Sequence, residues 1–337
     1  MKPHRVLLLA HPDLVPSDDG PPADRRERHA IKTESDVIAT LRASGHEVLP
    51  LGVQDEVRPI RDAVEFYRPH VVFNLLEEFH GNALFDAHVV AYLELLKARY
   101  TGCGPSGLLL SRSKALSKKL LSWHRIRVPG HAVFPRGQAV RPPRKLAYPC
   151  IVKSLVEHAS YGIAQASVVD SPEKLRERVA YLHEKLETDA IAEEYVDGRE
   201  LYVGVLGNQR RQAFPVWELR FENLPDGAPR IATAKVKHDP EYQERAGITD
   251  GPAADLDPAL ARRIRETARR ICHVLELDGY ARIDFRLTAT GELYFVDANP
   301  NPDIASTEEY ARAARLVGLE YPALLDRILK LALERPN

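Results

Sequence analysis

Two short triplets near the C-terminal end carry the sharpest chemical pattern in this 337-residue chain. They are Arg282-Ile283-Asp284 and Asp297-Ala298-Asn299, and apolar residues alternate with polar ones between them. That alternation predicts a hairpin over Ala281–Ala298. Successive strand residues face opposite ways, so Arg282, Asp284 and Arg286 share one face, as do Asp297 and Asn299. A two-residue turn at Thr290-Gly291 sets Asp284 opposite Asp297, and Arg282 opposite Asn299. Facing residues lie about 4.5–5.5 Å apart at Cβ, where two carboxylates repel unless a cation sits between them. Asp284, Asp297 and Asn299 are hard oxygen donors, which suit magnesium bridging phosphates, with manganese as an alternative. Arg282 beside them is placed to neutralise a transferring phosphoryl group or a tetrahedral intermediate. The competing reading is a solvated face with Arg–Asp pairs. The apolar flank Leu293-Tyr294-Phe295-Val296 argues instead for a buried hairpin.

Nucleotide binding needs more than metal ligands. No GxxxxGK[ST] occurs, which excludes a P-loop. Gly102-Cys103-Gly104-Pro105-Ser106-Gly107 matches GxGxxG, but no acid follows near position 127, so it reads as a turn before a helix. Lys153 closes the strand Cys150–Lys153 and is a candidate phosphate contact. The loop from Glu157 to Gly162, Ser160 included, is small and polar enough to cover phosphates with backbone N–H groups. A surface lysine and a plain turn are the alternatives. Glu193-Glu194-Tyr195-Val196 offers an adenine a ring to stack on and a backbone to pair with. Glu200 is placed to take ribose hydroxyls, a surface salt bridge being its other reading.

Strands alternating with helices must position these groups. Val6–Ala10 is continuously apolar and reads as a buried parallel strand. Ile31, Val37, Ile38 and Leu41 mark a helix that Gly45 can end; His46–Leu51 and Val71–Leu75 read as further strands, followed by a helix near 84–96. Together they predict an α/β lobe over the first 105 residues. One helix is expected over Ser111–Trp123. The Pro- and Arg-rich stretch Arg136–Pro149 opens a second lobe with strands at Ile151–Ser154, Ser167–Val169 and Ala190–Tyr195. Ser171-Pro172-Glu173 starts a helix by cap, ring and charge. The third lobe holds strands over Leu201–Leu206 and Gln212–Glu218, a polar stretch at Ala234–Pro252, a long amphipathic helix from Leu256 to Leu275, the hairpin, and helices near Ala305–Val317 and Pro322–Leu333.

Composition bounds the partners. A formal net charge of -1 without a clustered basic face argues against nucleic acid. No stretch reaches the roughly 20 apolar residues of a membrane span, and the first apolar run is too short for a signal peptide. The three cysteines, Cys103, Cys150 and Cys272, form no CxxC pair and read as apolar core residues. A cytoplasmic protein is expected.

In order and spacing, these pieces resemble the ATP-grasp superfamily, and within it the D-alanine–D-alanine ligase group. Tyr100-Thr101-Gly102-Cys103-Gly104 followed by Ser113-Lys114 to Lys118 is similar to that group's YTGxG…DKxxxK stretch, with Lys114 at the phosphate-contacting lysine. Ile151-Val152-Lys153-Ser154 with Glu157 to Gly162 is similar to IVKPxxxGSSxG. Ala234-Lys235 is similar to the start of the mobile lid. The two triplets match the GRxD…EAN magnesium core. The resemblance implies an α/β protein with α+β lobes: an ATP-grasp fold behind an N-terminal parallel α/β lobe, divided at 1–105, 106–196 and 197–337. It implies ATP and magnesium, small-molecule carboxylate and amine substrates joined through an acyl phosphate, Arg282 on the oxyanion, and a homodimer through the first lobe as one option.

Departures fall on the substrate side. His80-Gly81 keeps the group's HG, but Leu84-Phe85 replaces Gly-Glu, and a Pro- and Asp-rich insert, Val15–Arg26, stands where an amine-binding Glu is expected. Asp303 stands at a glycine that approaches the intermediate. Glu308 stands at the serine that binds the second D-alanine's carboxylate, where an anion would repel it. An amine other than D-alanine is therefore expected. A peptide or protein terminus as substrate, and a non-catalytic ATP-binding regulator, are the competing readings.

Overall fold

A computed structural model describes residues 2–17, 20, 24–156, 163–225, 227–233, 235–236 and 239–335. Three sheets succeed one another along the chain. The first is parallel, with β1 (Arg5–Ala10) between β2 (Glu47–Gly52) and β3 (Val71–Asn74). Leu7, Leu8 and Leu9 are wholly buried, because helices cover both faces of a central parallel strand. Those helices include α2 (Lys32–Ala43), α3 (Arg58–Phe66) and α4 (Asp86–Leu95); α1 (Arg25–Ala30), which buries no residue, precedes them. Gly45, at φ +86°, takes the left-handed conformation that ends α2.

Two helices then lead out, α5 (Pro105–Arg112) and α6 (Lys114–Trp123). The single helix expected over Ser111–Trp123 is thus broken. Ser113 is extended (φ −81°, ψ 101°), and its hydroxyl accepts from the Leu116 amide at 3.3 Å. Capping satisfies an otherwise orphaned N–H, so this serine starts a new helix rather than continuing the old one.

The second sheet runs β4 (His131–Phe134), β7 (Ala190–Glu194), β5 (Cys150–Ser154), β6 (Val168–Val169), all antiparallel. Helix α7 (Pro172–Lys185) backs it, capped by Ser171 as its sequence indicates. The third sheet has the path β11–β10–β8–β12–β13, with β9 beside β8. Its strands are β8 (Arg199–Leu206), β9 (Gln212–Ala213), β10 (Trp217–Phe221), β11 (Ile248–Pro252), β12 (Tyr280–Leu287) and β13 (Leu293–Asn299). Two expectations change here. Gln212–Glu218 is not one strand: it splits around Pro215, which has no N–H for a ladder. The polar stretch before Pro252 contributes α8 (Pro240–Arg245) and the edge strand β11, whose Trp217–Asp250 side-chain bond at 2.6 Å ties it to β10. Helices α9 (Pro258–Val274), α10 (Glu309–Arg315) and α11 (Tyr321–Leu333) follow. The last leaves the third sheet: Leu324, Leu325 and Ile328 share a core with Val6, Leu8 and Val37 of the first lobe. The chain end therefore bolts the third lobe to the first. All three cysteines are buried. Among the described residues no helix is long and apolar enough to cross a membrane.

The hairpin differs from its expected form in an instructive way. Leu287 faces Leu293, and the Thr288 amide donates to Glu292 O at 3.0 Å, so the turn holds three residues, Ala289 to Gly291, not two. Gly291 sits at φ +79°, as such a loop requires. Phe285 faces Phe295, but Asp284 faces Asp297: Val296 is an extra residue, a bulge. The longer turn and the bulge offset each other, and Arg282 again faces Asn299.

Candidate active site

Two cavities meet at the open face of β12 and β13. The first is a cleft between the second and third sheets, lined by Lys114, Lys153, Val196, Glu200, Asp284 and Asp297 among others. The second encloses about 530 Å³ between the first lobe and the third sheet, and Asp303 and Glu308 lie on its wall. Arg282 and Asn299 line both.

The first cleft is organised around a buried carboxylate. Glu193, 1% exposed, lies 2.9 Å from Lys118 Nζ and 3.0 Å from Lys153 Nζ. Burial alone would raise its pKa; the two ammonium groups outweigh burial and hold it below the usual carboxylate range. So Glu193, expected beside adenine, serves as the counter-ion of a lysine pair. Lys114 stands on the first turn of α6, 3.9 Å from Asp297. Its pKa falls to about 8, first through burial and then through Lys153 and Lys118, with Asp297 opposing. An incoming polyanion would favour its charged form, because it adds negative charge beside that of Asp297. Tyr195 and Val196 line the same cleft, and Glu200 is bound by Arg286 at 2.7 Å and by the Tyr202 hydroxyl at 2.8 Å.

At the junction Arg282 grips Asp284 with Nε at 2.8 Å and Nη2 at 3.0 Å, bonds Glu309 through Nη1, and lies over the Tyr202 ring. Asn299 Oδ1 accepts from the Asn301 amide at 2.9 Å. Among the described residues no cage of three or more His, Cys, Asp or Glu exists. Two carboxylates and one amide facing a cleft with lysines across it form an incomplete donor set. That suits magnesium, which keeps open positions for phosphate oxygens and water.

Not every expected residue converges. His80 is exposed, at φ +55°, with its amide donating to Gln54 O, and lines neither cavity. Glu77, three residues earlier in the loop that follows β3, lines the second cavity instead. The HG dipeptide marked the right loop but not the residue that points inward. Lys235 is exposed and lines neither cavity. Ser160 and its loop lie outside the described residues.

Charge in the second cavity is also redistributed. Glu308 is matched by Lys32 of α2 at 2.7 Å. Arg112 pairs with Asp86, and Arg312 with Asp250 at 2.8 Å. Among the described residues two of its lining carboxylates, Glu77 and Asp303, have no cationic partner within ion-pair distance, and neither has Glu34, a buried residue of α2 outside the lining. Asp303 accepts from Thr33 Oγ1 at 2.7 Å and from the Ala305 amide at 2.8 Å. Glu34 is 4% exposed, and burial, with the charges of Asp303 and Glu77, raises its carboxyl to about 7. Sequence reasoning placed Lys118 in the DKxxxK-like stretch but gave it no role, although it lies one helical turn from Lys114. It missed Glu34, whose signal was a polar residue on the apolar stripe with Ile31, Val37 and Ile38. Glu309 carried no local signal.

Comparisons with known proteins bear on the family and the fold. The family model described as "D-ala D-ala ligase C-terminus" matches residues 130–330. The chain is 30% identical over 307 residues to uncharacterized protein y4sG of Sinorhizobium fredii (strain NBRC 101917 / NGR234), covering 89% of this chain and 87% of that protein. It is 29% identical over 300 residues to a D-alanine–D-alanine ligase of Aquifex aeolicus (strain VF5), covering 89% and 94%. Its fold matches the crystal structure of D-alanine–D-alanine ligase from Bacillus anthracis complexed with ATP (TM-score 0.74, 19% identity, 98% and 97% covered). It also matches the VanG D-Ala:D-Ser ligase from Enterococcus faecalis (TM-score 0.72, 19% identity, 98% and 100% covered).

Proposed function

Since the chain belongs to the D-alanine–D-alanine ligase family of ATP-grasp enzymes, we propose that it spends ATP to join a substrate carboxylate to an amine other than D-alanine, one with net positive charge. A single observation carries the reading: the metal-ligand cleft and the large cavity meet at Arg282. A group held in one cavity is thereby presented to a group held in the other.

The residues divide the work. Asp284, Asp297 and Asn299 would hold magnesium, which when bound neutralises phosphate charge. Lys114 and Lys153 face the phosphates across the cleft, and Glu193 keeps Lys153 oriented. Tyr195 and Val196 receive the base, and Glu200 the ribose. Arg282 exchanges its grip on Asp284 for the substrate: as the amine attacks the activated carbonyl, its fixed N–H groups meet the developing oxyanion. Enclosure between the lobes limits hydrolysis of the acyl phosphate.

The acceptor preference follows from the charges left over. Glu308 was the expected repellent, yet Lys32 compensates it. Among the described residues the lining carboxylates without a cation at ion-pair distance are Glu77 and Asp303. D-Alanine is a zwitterion and brings no net charge to offset two anions, whereas a diamine or basic amino acid does. The purified protein should release ADP and phosphate when ATP, an amino acid and a diamine or basic amino acid are supplied together, and far more slowly with D-alanine alone. Efficient D-alanyl-D-alanine synthesis would sink the acceptor assignment. ADP release independent of any amine would sink the ligase assignment.

A further inference from the structure

Lys118 lines neither cavity, yet it is a wholly buried cation (0% exposed). Its contacts explain why. Nζ donates to the carbonyl oxygen of Val296 at 2.8 Å, lies 2.9 Å from Glu193, and sits 5.4 Å from the centre of the Phe295 ring. Val296 is the bulged residue of β13 and Phe295 the residue before it.

The bulge has a chemical consequence. From the turn upward the pairs are Leu287–Leu293, Arg286–Tyr294 and Phe285–Phe295. An unbroken ladder would next set Asp284 against Val296 and Asp297 against Ile283. Because side chains alternate, that one-residue slip would turn Asp297 to the other face. Ile283 and Phe285 on that face are wholly buried in the core. A carboxylate there would be desolvated and unpaired. The extra residue at Val296 returns Asp297 to the face of Asp284 and Asn299. A bulge also leaves its residue outside the regular ladder, and a buried carbonyl without a donor is costly. Lys118 supplies that donor from the far side of the strand, and Glu193 balances its charge.

We infer that Lys118 is a positioning residue for the metal site: by bonding the Val296 carbonyl it holds the bulge that turns Asp297 toward Asp284. It needs no contact with nucleotide or metal. The lysine that serves phosphates (Lys114) and the lysine that shapes the metal site (Lys118) thus occupy consecutive turns of one helix. This inference rests on the metal reading of Asp284, Asp297 and Asn299 above.

The test is Mn2+ titration of the full chain, followed by electron paramagnetic resonance, with a non-hydrolysable ATP analogue at saturation. Binding of the same analogue in EDTA gives the metal-free affinity. Lys118→Met should weaken Mn2+ binding about 10-fold or more, as loss of an outer-shell partner does, with a smaller change in metal-free affinity. Lys118→Gln, which keeps an N–H donor, should recover part of the loss. In an Asp297→Asn background, Lys118→Met should cost little further, because the ligand it positions is already gone. Unchanged Mn2+ affinity in Lys118→Met would overturn the inference, and so would full additivity with Asp297→Asn. If Lys118→Met does not fold, Lys118→Gln carries the same double-mutant comparison. Failure of the wild type itself to bind Mn2+ would overturn the metal reading and this inference with it.

Discussion

The two cavities are built on opposite electrostatic plans. In the nucleotide cleft every strong charge is answered nearby: Glu193 by Lys118 and Lys153, Glu200 by Arg286, Asp284 by Arg282. In the second cavity the arginines are answered, but among the described residues Glu77 and Asp303 have no cation at ion-pair distance. A pre-paired site is ready for a polyanion that exchanges one set of partners for another. An unpaired one waits for the charge its ligand brings. On the proposed reading, the contrast separates the handling of phosphate from the choice of amine.

The contrast can be broken at three points. The largest effect should come from Glu193→Gln, which strands two buried lysines. Removing one partner of a buried ion pair costs about 3–5 kcal/mol. Chemical denaturation should show a loss of that order, and a change below about 1 kcal/mol would mean the lysines are not held by this carboxylate. Next is Arg282→Ala at the junction. Loss of one oxyanion-stabilising donor lowers kcat about 100- to 1,000-fold. Nucleotide affinity by fluorescence titration should change only a few-fold; unchanged turnover would remove Arg282 from the chemistry.

The third effect is a pH dependence of stability. The Glu34 carboxyl has its pKa raised from 4.5 to about 7 in the folded protein, by burial and by Asp303 and Glu77. The folded state therefore binds this proton more tightly than the unfolded state. Stability attached to Glu34 is present below about pH 4.5 and is lost as pH rises toward 7. Glu34→Gln should abolish that slope and stabilise the protein above pH 7 by roughly 2 kcal/mol. A wild-type slope identical to that of Glu34→Gln would remove Glu34 from the unpaired set.

The strand pattern around Asp284 and Asp297 was legible because a two-residue period ties neighbouring side chains to one face, whatever the rest of the chain does. Even so, the register emerged from two compensating features, a three-residue turn and a bulge, that local pattern does not distinguish from a simple two-residue turn. Helix starts at Ser171 and strand burial at β1 were legible for the same reason: caps and apolar runs act within a few residues. The break at Ser113 was written there too, as a serine three residues before Leu116. A strong run of helix formers on either side masked it.

Sequence by itself determined much of the order of strands and helices, the shared face and pairing of the Arg282–Asp284 and Asp297–Asn299 triplets, and the absence of a P-loop, since each depends on residues within one turn or one strand pair. Tertiary structure alone decided that Glu193 is a counter-ion, that Lys32 neutralises Glu308, that Glu77 rather than His80 lines the second cavity, and that Lys118 meets the bulge far along the chain. Those are pairings between segments up to 276 positions apart. Charge compensation depends on distance in space, and spacing along the chain carries no record of it.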